Sequence, residues 1–531
     1  MAKDYLPVDR DQAFLLPPDM RDWLPAGHAV WLVIEAVRRL DTSAFHARRR
    51  TGGAGAAGFD PDMLLALLVW AYANGITSSR RIEALCEQDL AFMVICAGRA
   101  PDHVTVARFR QQFAGTAAPL FAQVLLLCAR LGMGRVGVVA LDGTKIAASA
   151  SKDANRTEDG LRKLAAEMAA AHAEGDKRED ALFGQGKRGD DDPGDPRTRE
   201  ERVAAALADL EAEREAREAA ERAAAAGRLE RARAGTSKGG RPPAGAGVAL
   251  AEERVARETA AYQAKVAARE AAAAAGRPRS GGPPVPAGDY CRVRQAREAL
   301  ERARARDAAR AQRPPGDGKK KKREPAQRNV TDPGSRLMPV RGGGFIQGYN
   351  PQNVTSEDGL VIATRLTSTP GDVQWYEPMI AEAQAAAAMM AAAGGPGTGR
   401  IGLALADAGY LSEANLTCPG PDRLIATGKR RNLEKAARAA DPGAAPEDAA
   451  PAAAMAARLA TEDGIAAYRR RGHIGETFHG DLKHNMGIRR LTVRGLPRAS
   501  GEWTFAAAVR NLRKAITSGH LTAQALAALP A

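Results

Sequence analysis

The sequence is poor in cysteine, short of acid relative to base, and without a long apolar run. Its five cysteines, Cys86, Cys96, Cys128, Cys291 and Cys418, form no C-x-x-C pair. That argues against a zinc site or a disulfide framework and for reduced, mostly buried thiols. No uninterrupted apolar stretch reaches the roughly eighteen residues a membrane span requires. The first twenty residues lack the apolar segment of a secretory leader, so the chain is expected in the cytoplasm with no membrane partner. Acidic residues number 63 against 77 lysines and arginines, a formal charge of +14. Such an excess favours a polyanionic partner, nucleic acid first among them. At 531 residues the chain exceeds what one core usually organises, so two or three parts are expected.

What the sequence does contain is organised around one acidic residue. The run Gly137 to Leu141 is apolar and too short for a useful helix, which suits a strand buried on both faces. It delivers Asp142 to its polar end, the edge where open α/β sheets carry their sites. Before it, residues 25 to 131 show helical spacing, and Asp60 followed by Pro61 reads as an N-cap and first helical position. The segments SSRRIEALCEQDLAFMVICAG and APDHVTVARFRQQFAG read as helix, turn, helix, with Arg108 and Arg110 able to reach phosphates or base edges. An ordinary helical bundle with solvated arginines fits the same pattern.

Beyond the Asp142 strand, residues 161 to 312 carry long Ala/Glu/Arg tracts broken by Gly/Pro pieces. These form helices readily and pair Glu with Arg at i,i+4, but an alanine stripe buries little. Helical arms or disorder inserted into a domain are expected, with a basic link from Lys319 to Arg323 that could lie on DNA. After Asp332 the pattern becomes α/β. Strands at Gly344 to Val354 and Leu360 to Thr367 flank a Ser-Glu-Asp-Gly turn with Gly359 at the positive-φ position. A helix follows, then a buried strand delivering Asp407, then a strand ending in Lys429 and Arg430, which are candidate DNA contacts. Glu476 lies on a later helix, with Arg469 seven residues before it and Lys483 seven after, all on one face. A surface ladder of ion pairs would look the same.

This order of elements is that of an RNase H-like α/β fold: a mixed-sheet catalytic core with an all-α N-terminal domain and a helical, low-complexity insertion. The expected boundaries are 1–131 for the helical, DNA-binding part, 132–154 for the first strand, 155–329 for the insertion, 330–516 for the rest of the core and 517–531 for a tail. Three carboxylates from two adjacent strands and a facing helix can hold two divalent cations roughly 3.5 to 4 Å apart, clamping the attacking and leaving oxygens at phosphorus. Mg²⁺ suits such oxygen ligands, and Mn²⁺ could substitute.

The motifs LDGTKIAASASKDANRT, TDPGSRLM, GYNPQNV, ADAGYLSEANL and YRRRGHIGETFHGDLKHNMGIRRLTVRGL, with the N-terminal helical region, resemble bacterial insertion-sequence transposases with a DDE site. The IS1182 group among IS4- and IS5-type relatives is the most similar. The resemblance implies Asp142, Asp407 and Glu476 as catalytic metal ligands and Lys483 as a further catalytic residue. Tyr468 and Lys483 match an accessory Tyr-Arg-Glu-Lys signature, whose arginine stays open. The usual signature leaves three residues between Arg and Glu, whereas Arg471 leaves four and Gly472 occupies the expected position. Helical geometry favours Arg469, and counting favours Arg471. The implied function is binding of terminal inverted repeats and Mg²⁺-dependent strand cleavage and strand transfer, on double-stranded DNA, by a homo-oligomer at the nucleoid. Two alternatives use the same residues: a nuclease of this fold that does not transpose, and a catalytically inactive, regulatory DNA-binding derivative.

Overall fold

A seven-stranded mixed sheet organises the larger part of the protein. The computed structural model describes residues 19–47, 58–168, 170, 199–234, 246–275, 283–311, 326–340, 342–428 and 450–529. The Lys319 to Arg323 link, Lys429 and Arg430 lie outside them. Two units are present, Met1–Asn155 with Asn329–Ala531, and Arg156–Arg328.

In the first unit the strands are β1 (Val138–Gly143), β2 (Ile146–Ala147), β3 (Arg336–Pro339), β4 (Phe345–Ser356), β5 (Val361–Thr367), β6 (Leu403–Ala406) and β7 (Asp422–Ile425). The main path runs β2-β4-β1-β6-β7, and β3 and β5 also pair with β4. β1 is antiparallel to β4 and parallel to β6, which is parallel to β7. Alternate residues serve opposite layers, as the pleat requires. Val139, Leu141, Ala404 and Ala406 join the main core, while Val138, Ala140, Leu405 and Leu424 pack with Met455, Leu459 and Ile474.

The hairpin forms as its turn residues dictate, with Gly359 at φ +84° between β4 and β5. β3 is a strand that hydropathy does not reveal, since Arg336-Leu-Met-Pro has no alternation. β5 is an edge, and edges leave backbone groups unpaired. Asn511 covers part of this one: its Oδ1 accepts from the Val361 N–H at 3.0 Å and its Nδ2 donates to the Val361 carbonyl at 2.8 Å.

Helices Ala29–Arg38, Pro61–Ala73, Ser79–Gln88, Leu90–Ile95, His103–Gln111 and Phe113–Arg130 precede the sheet. Asp60 caps the second of these by accepting from the Asp62 N–H, with Pro61 in the first turn. Phe113–Arg130 is long and apolar enough to cross a membrane by length and composition. Its apolar residues do not form an uninterrupted run, because Thr116, Pro119 and Gln123 punctuate it. Here it is a core helix: Leu120, Val124, Leu127 and Cys128 are buried. It lies against helix Leu496–Thr517, with the Phe113 and Phe505 rings stacked at 4.2 Å. Gly501 permits that approach, because a Cβ there would stand 2.5 Å from the Phe113 carbonyl. Helices and sheet thus share one hydrophobic core.

The second unit consists of helices Arg199–Arg233, Gly247–Ala274 and Cys291–Ala311 and a helical stretch at 158–168. Of the first, Val203, Ala206 and Leu210 are buried, and of the second no residue is. Alanine stripes remove little area from water, and exposed ion pairs such as Arg162–Glu158 and Arg304–Glu252 add about 0 to 1 kcal/mol each.

Candidate active site

Two of the three acids are placed by strand register. Leu141 of β1 pairs with Ala406 of the parallel β6, so the next residues, Asp142 and Asp407, leave the same sheet edge side by side. Each is steadied by a backbone donor. The Gly143 N–H donates to Asp142 Oδ1 at 3.1 Å, and the Gly409 N–H donates to Asp407 Oδ1 at 2.8 Å. Glu476 arrives on a long irregular helix made of α turns at Glu462–Arg471 and Thr477–Gly480 and π turns at Gly472–Glu476 and Asp481–Asn485. Ile474 anchors it on the Val138 and Ala140 face of β1. Gly475 lies against the strand, a Cβ built there being in van der Waals contact with Asp142 Cβ and Ala140 Cβ at 3.4 and 3.5 Å. The structure therefore brings Asp142, Asp407 and Glu476 to one place.

The first π turn accounts for the extra residue between arginine and glutamate. In an ordinary α-helix residues five apart diverge by about 140°, but the i→i+5 bonding of a π turn sets them one above the other. Arg471 accordingly bridges the acids, with one terminal nitrogen 3.6 Å from Asp142 Oδ1 and the other 3.5 Å from Glu476 Oε1. Its guanidinium stands 5.9 Å from the Tyr468 ring centroid, and the Tyr468 hydroxyl donates to the Ala406 carbonyl at 3.3 Å. Arg469 is exposed, so geometry read on a regular helix picks the wrong arginine for contact with these acids. Lys483 completes the cluster. Its Nζ donates to Thr144 Oγ1 and, at 3.0 Å, to the Lys145 carbonyl.

Burial dominates the electrostatics. The Asp142 side chain is 14% exposed, and desolvation pushes its carboxyl up to about 7, Arg471 pulling it down and Asp407 and Glu476 pushing it further up. Burial pulls Arg471 down, but Tyr468, Asp142, Asp407 and Glu476 outweigh it and hold the guanidinium above its usual range. Lys483 is lowered by burial, with Asp142 opposing and Lys145 assisting.

Several neighbours are absent from the sequence reading. His479 Nε2 is 3.6 Å from Asp142 Oδ2. Burial, then the Lys483 charge, push the imidazole down to about 3, so it is neutral and the contact is not an ion pair. It lies three residues after Glu476, and counting along the helix face could have found it. Thr144 and Lys145 stand two and three residues after Asp142. Asp372 sits in a loop before a 3₁₀ turn, where no periodicity exists to mark it.

The two arginines proposed as DNA contacts separate. Arg108 is exposed on helix His103–Gln111. Arg110 is 6% exposed, donates to Thr492 Oγ1 at 2.8 Å and lies 5.6 Å from the Tyr72 ring centroid. Residues two apart on a helix point roughly 200° apart, so one faces solvent while the other serves the core, and the expectation that Arg110 reaches phosphate is corrected. Arg108→Ala should flatten the log–log salt dependence of affinity for element-end DNA by about 0.9. Arg110→Ala should leave that slope unchanged and lower stability instead. Slopes measured by fluorescence anisotropy check this, and an unchanged slope for Arg108→Ala would remove this helix from the DNA path.

A second cluster, His46, Asp60 and Asp62, brings possible ligand atoms within 4.8 Å of one another. It is engaged in structure: Asp60 caps its helix, and His46 Nε2 bonds Asp62 at 3.0 Å.

Residues 438–516 match the family described as a transposase DDE domain, the stretch that holds Tyr468, Arg471, Glu476 and Lys483. Residues 18–112 match a further family, described as a transposase domain. The two matches support an insertion-sequence DDE transposase. The transposase thus carries a family match both on its N-terminal helices and on the helix that supplies Glu476, and the pair supports the likeness to the IS1182 type. It is a DNA-processing enzyme. No curated protein and no solved structure matches it.

Proposed function

We propose that the transposase binds the ends of its element and cuts and joins DNA at Asp142, Asp407 and Glu476, on an RNase H-like core. The observation that carries this is the register of β1 and β6, which sets Asp142 beside Asp407 under the helix bearing Glu476. The sheet order β5-β4-β1-β6-β7, antiparallel in its first half and parallel in its second, supports the core assignment.

Three carboxylates that act on one another, Asp142 beside Asp407 and Glu476, are oxygen donors that fit a hard divalent cation. Bound there, two Mg²⁺ ions, or Mn²⁺ in their place, would polarise the attacking oxygen and offset charge at phosphorus. The protein's own groups do the rest. Lys483 and Arg471 neutralise phosphate charge from the helix side. The Tyr468 hydroxyl donates to the Ala406 carbonyl and the buried Tyr410 hydroxyl to Gln352 Oε1, and attack by water and then by a 3′-hydroxyl uses neither as a nucleophile. In cleavage a water oxygen bonds to phosphorus and the P–O3′ bond breaks, freeing a 3′-hydroxyl at the element end. In strand transfer that hydroxyl attacks a target phosphate and displaces the target's own 3′-oxygen.

Residues 1–131 would read the inverted repeats, 132–154 and 330–516 would form the catalytic core, and 155–329 would be an insertion outside it. The transposase would work as a homo-oligomer on double-stranded DNA, in the cytoplasm at the nucleoid. The test is incubation of the full-length protein with duplexes of both element ends, with Mg²⁺ or EDTA. Nicks at the element's 3′ ends and joined products in Mg²⁺ alone are expected. Nicks without joining would favour the nuclease, and binding without nicks the inactive derivative.

A further inference from the structure

Lys145 is a second ammonium group at the rim of the acid cluster, and the Tyr-Arg-Glu-Lys signature does not account for it. Its Nζ donates to the Pro370 carbonyl at 2.8 Å and stands 3.6 Å from Asp372 Oδ1. Asp372 is itself held fast. Asn350 Nδ2 and Gln352 Nε2 both donate to the same Oδ1, at 2.7 and 2.8 Å, and both residues are fully buried on β4. Gln352 in turn accepts from the buried Tyr410 hydroxyl. Linked polar groups of this kind form a rigid support.

Two glycines make the arrangement possible. A Cβ on Gly143 would come within 2.7 Å of Gln352 Nε2 and 3.0 Å of Asp372 Oδ1. A Cβ on Gly409 would meet Asp407 Oδ1 at 3.0 Å and Asp372 Oδ2 at 3.3 Å. Asp372 therefore stands beside Asp407, and it keeps the Lys145 ammonium on that side of the site.

A purely structural ion pair accounts for this poorly. Asp372 Oδ1 already takes two amide donors, and Lys145 at 3.6 Å is beyond hydrogen-bond length. The Lys145 carbonyl also holds Lys483 Nζ, so two half-buried cations share one rim. Burial lowers both; Lys145 adds to the cost of charging Lys483, while Asp372 and Asp407 favour the charged form of Lys145. Like charges held together in a partly desolvated cleft are stabilised by an anion between them.

We propose that Lys145 binds a DNA phosphate on the Asp407 side of the active site and that Asp372 is the residue that positions it. This rests on the transposase reading of the three acids. Lys145 adds a fixed counter-charge that does not depend on the Glu476 helix, so DNA is gripped from the strand edge as well as from the helix.

The experiment uses the full-length protein and an element-end duplex, unmodified or with single methylphosphonates near the cleavage site. Lys145→Ala should lower kcat/KM about tenfold and flatten the salt slope of DNA affinity by about 0.9, the loss of one phosphate contact. On the duplex neutralised at the contacted phosphate, wild type and Lys145→Ala should cleave equally. Asp372→Asn should show a smaller loss that is not additive with Lys145→Ala, and Lys145→Arg should recover most of the salt slope. Calorimetric Mn²⁺ binding to the DNA-free protein should be unchanged in all variants. An unaltered rate and slope in Lys145→Ala, or a loss that no methylphosphonate reproduces, overturns the proposal. Loss of Mn²⁺ binding in Asp372→Asn overturns the positioning role and makes Asp372 a metal ligand. A wild type that neither binds Mn²⁺ nor cleaves defeats the transposase reading itself and takes this proposal with it.

Discussion

Asp142→Asn is expected to reduce strand cleavage by about a thousandfold or more while making the metal-free protein more stable at pH 8. The first effect follows from removing a charged oxygen ligand from the centre of the acid cluster. The second follows from burial. Burial pushes the carboxyl up to about 7 in the folded protein from its ordinary 3.8, so the fold prefers the protonated form. The stability that Asp142 contributes is present in full below pH 3.8 and is lost as pH rises through 7. Asparagine carries no such charge. The variant should match wild type below about pH 3.8 and exceed it at pH 8 by about 1 to 3 kcal/mol, less than the full shift implies because Arg471 loses a partner. Added Mn²⁺ should raise the wild-type melting temperature and leave the variant's nearly unchanged. Thermal melts at the two pH values, with EDTA or Mn²⁺, decide the matter. A variant less stable than wild type at pH 8 would make Asp142 a structural residue.

Glu502→Ala should destabilise the protein by about 3 to 5 kcal/mol, the usual cost of breaking a buried charged network from one side. Glu502 is 2% exposed. Its Oε1 accepts from the Tyr72 hydroxyl at 2.7 Å and from Thr492 Oγ1 at 2.6 Å, and its Oε2 accepts from the Thr492 N–H at 2.7 Å. Arg110 donates to the same threonine hydroxyl and packs on the same tyrosine. The network ties helices Pro61–Ala73 and His103–Gln111 to Leu496–Thr517, next to the glycine crossing at Gly501. Truncating Glu502 leaves Arg110 without a nearby counter-charge in a dry core. Urea unfolding measures the effect. The double variant with Arg110→Ala should lose less than the sum of the two single losses. Additive losses, or a Glu502→Ala cost under about 1 kcal/mol, would mean these groups act independently.

Local pattern was enough to read several parts of this protein. Five apolar residues before Asp142 are too few for a helix and too apolar for an edge, so a buried strand ending in a carboxylate was the economical reading. Gly359 needed a positive φ, which fixed the hairpin. Asp60 with Pro61 marked a helix start because capping is local chemistry. The likeness of Tyr468, Glu476 and Lys483 to a known signature named the family before any coordinate was needed.

Tertiary structure decided what depends on register and on which face is buried. That Asp142 lies beside Asp407 follows from the pairing of Leu141 with Ala406, and residues 265 positions apart carry no local sign of it. Arg471 rather than Arg469 meets the acids because Ile474 seats the helix on β1 and the wide turn takes up the extra residue, whereas a sequence can be counted only on a regular helix. Arg108 and Arg110 read alike in the sequence, yet the packing of Tyr72 and Thr492 put one in the core and left the other in water. Asp372 gives no signal at all, since its place beside Asp407 depends on two amides of a strand and two glycines that no neighbour in sequence could announce. Composition and periodicity determine which elements form, because they act within a few residues. The charge cluster was decided by packing, because burial and register arise only when distant elements meet.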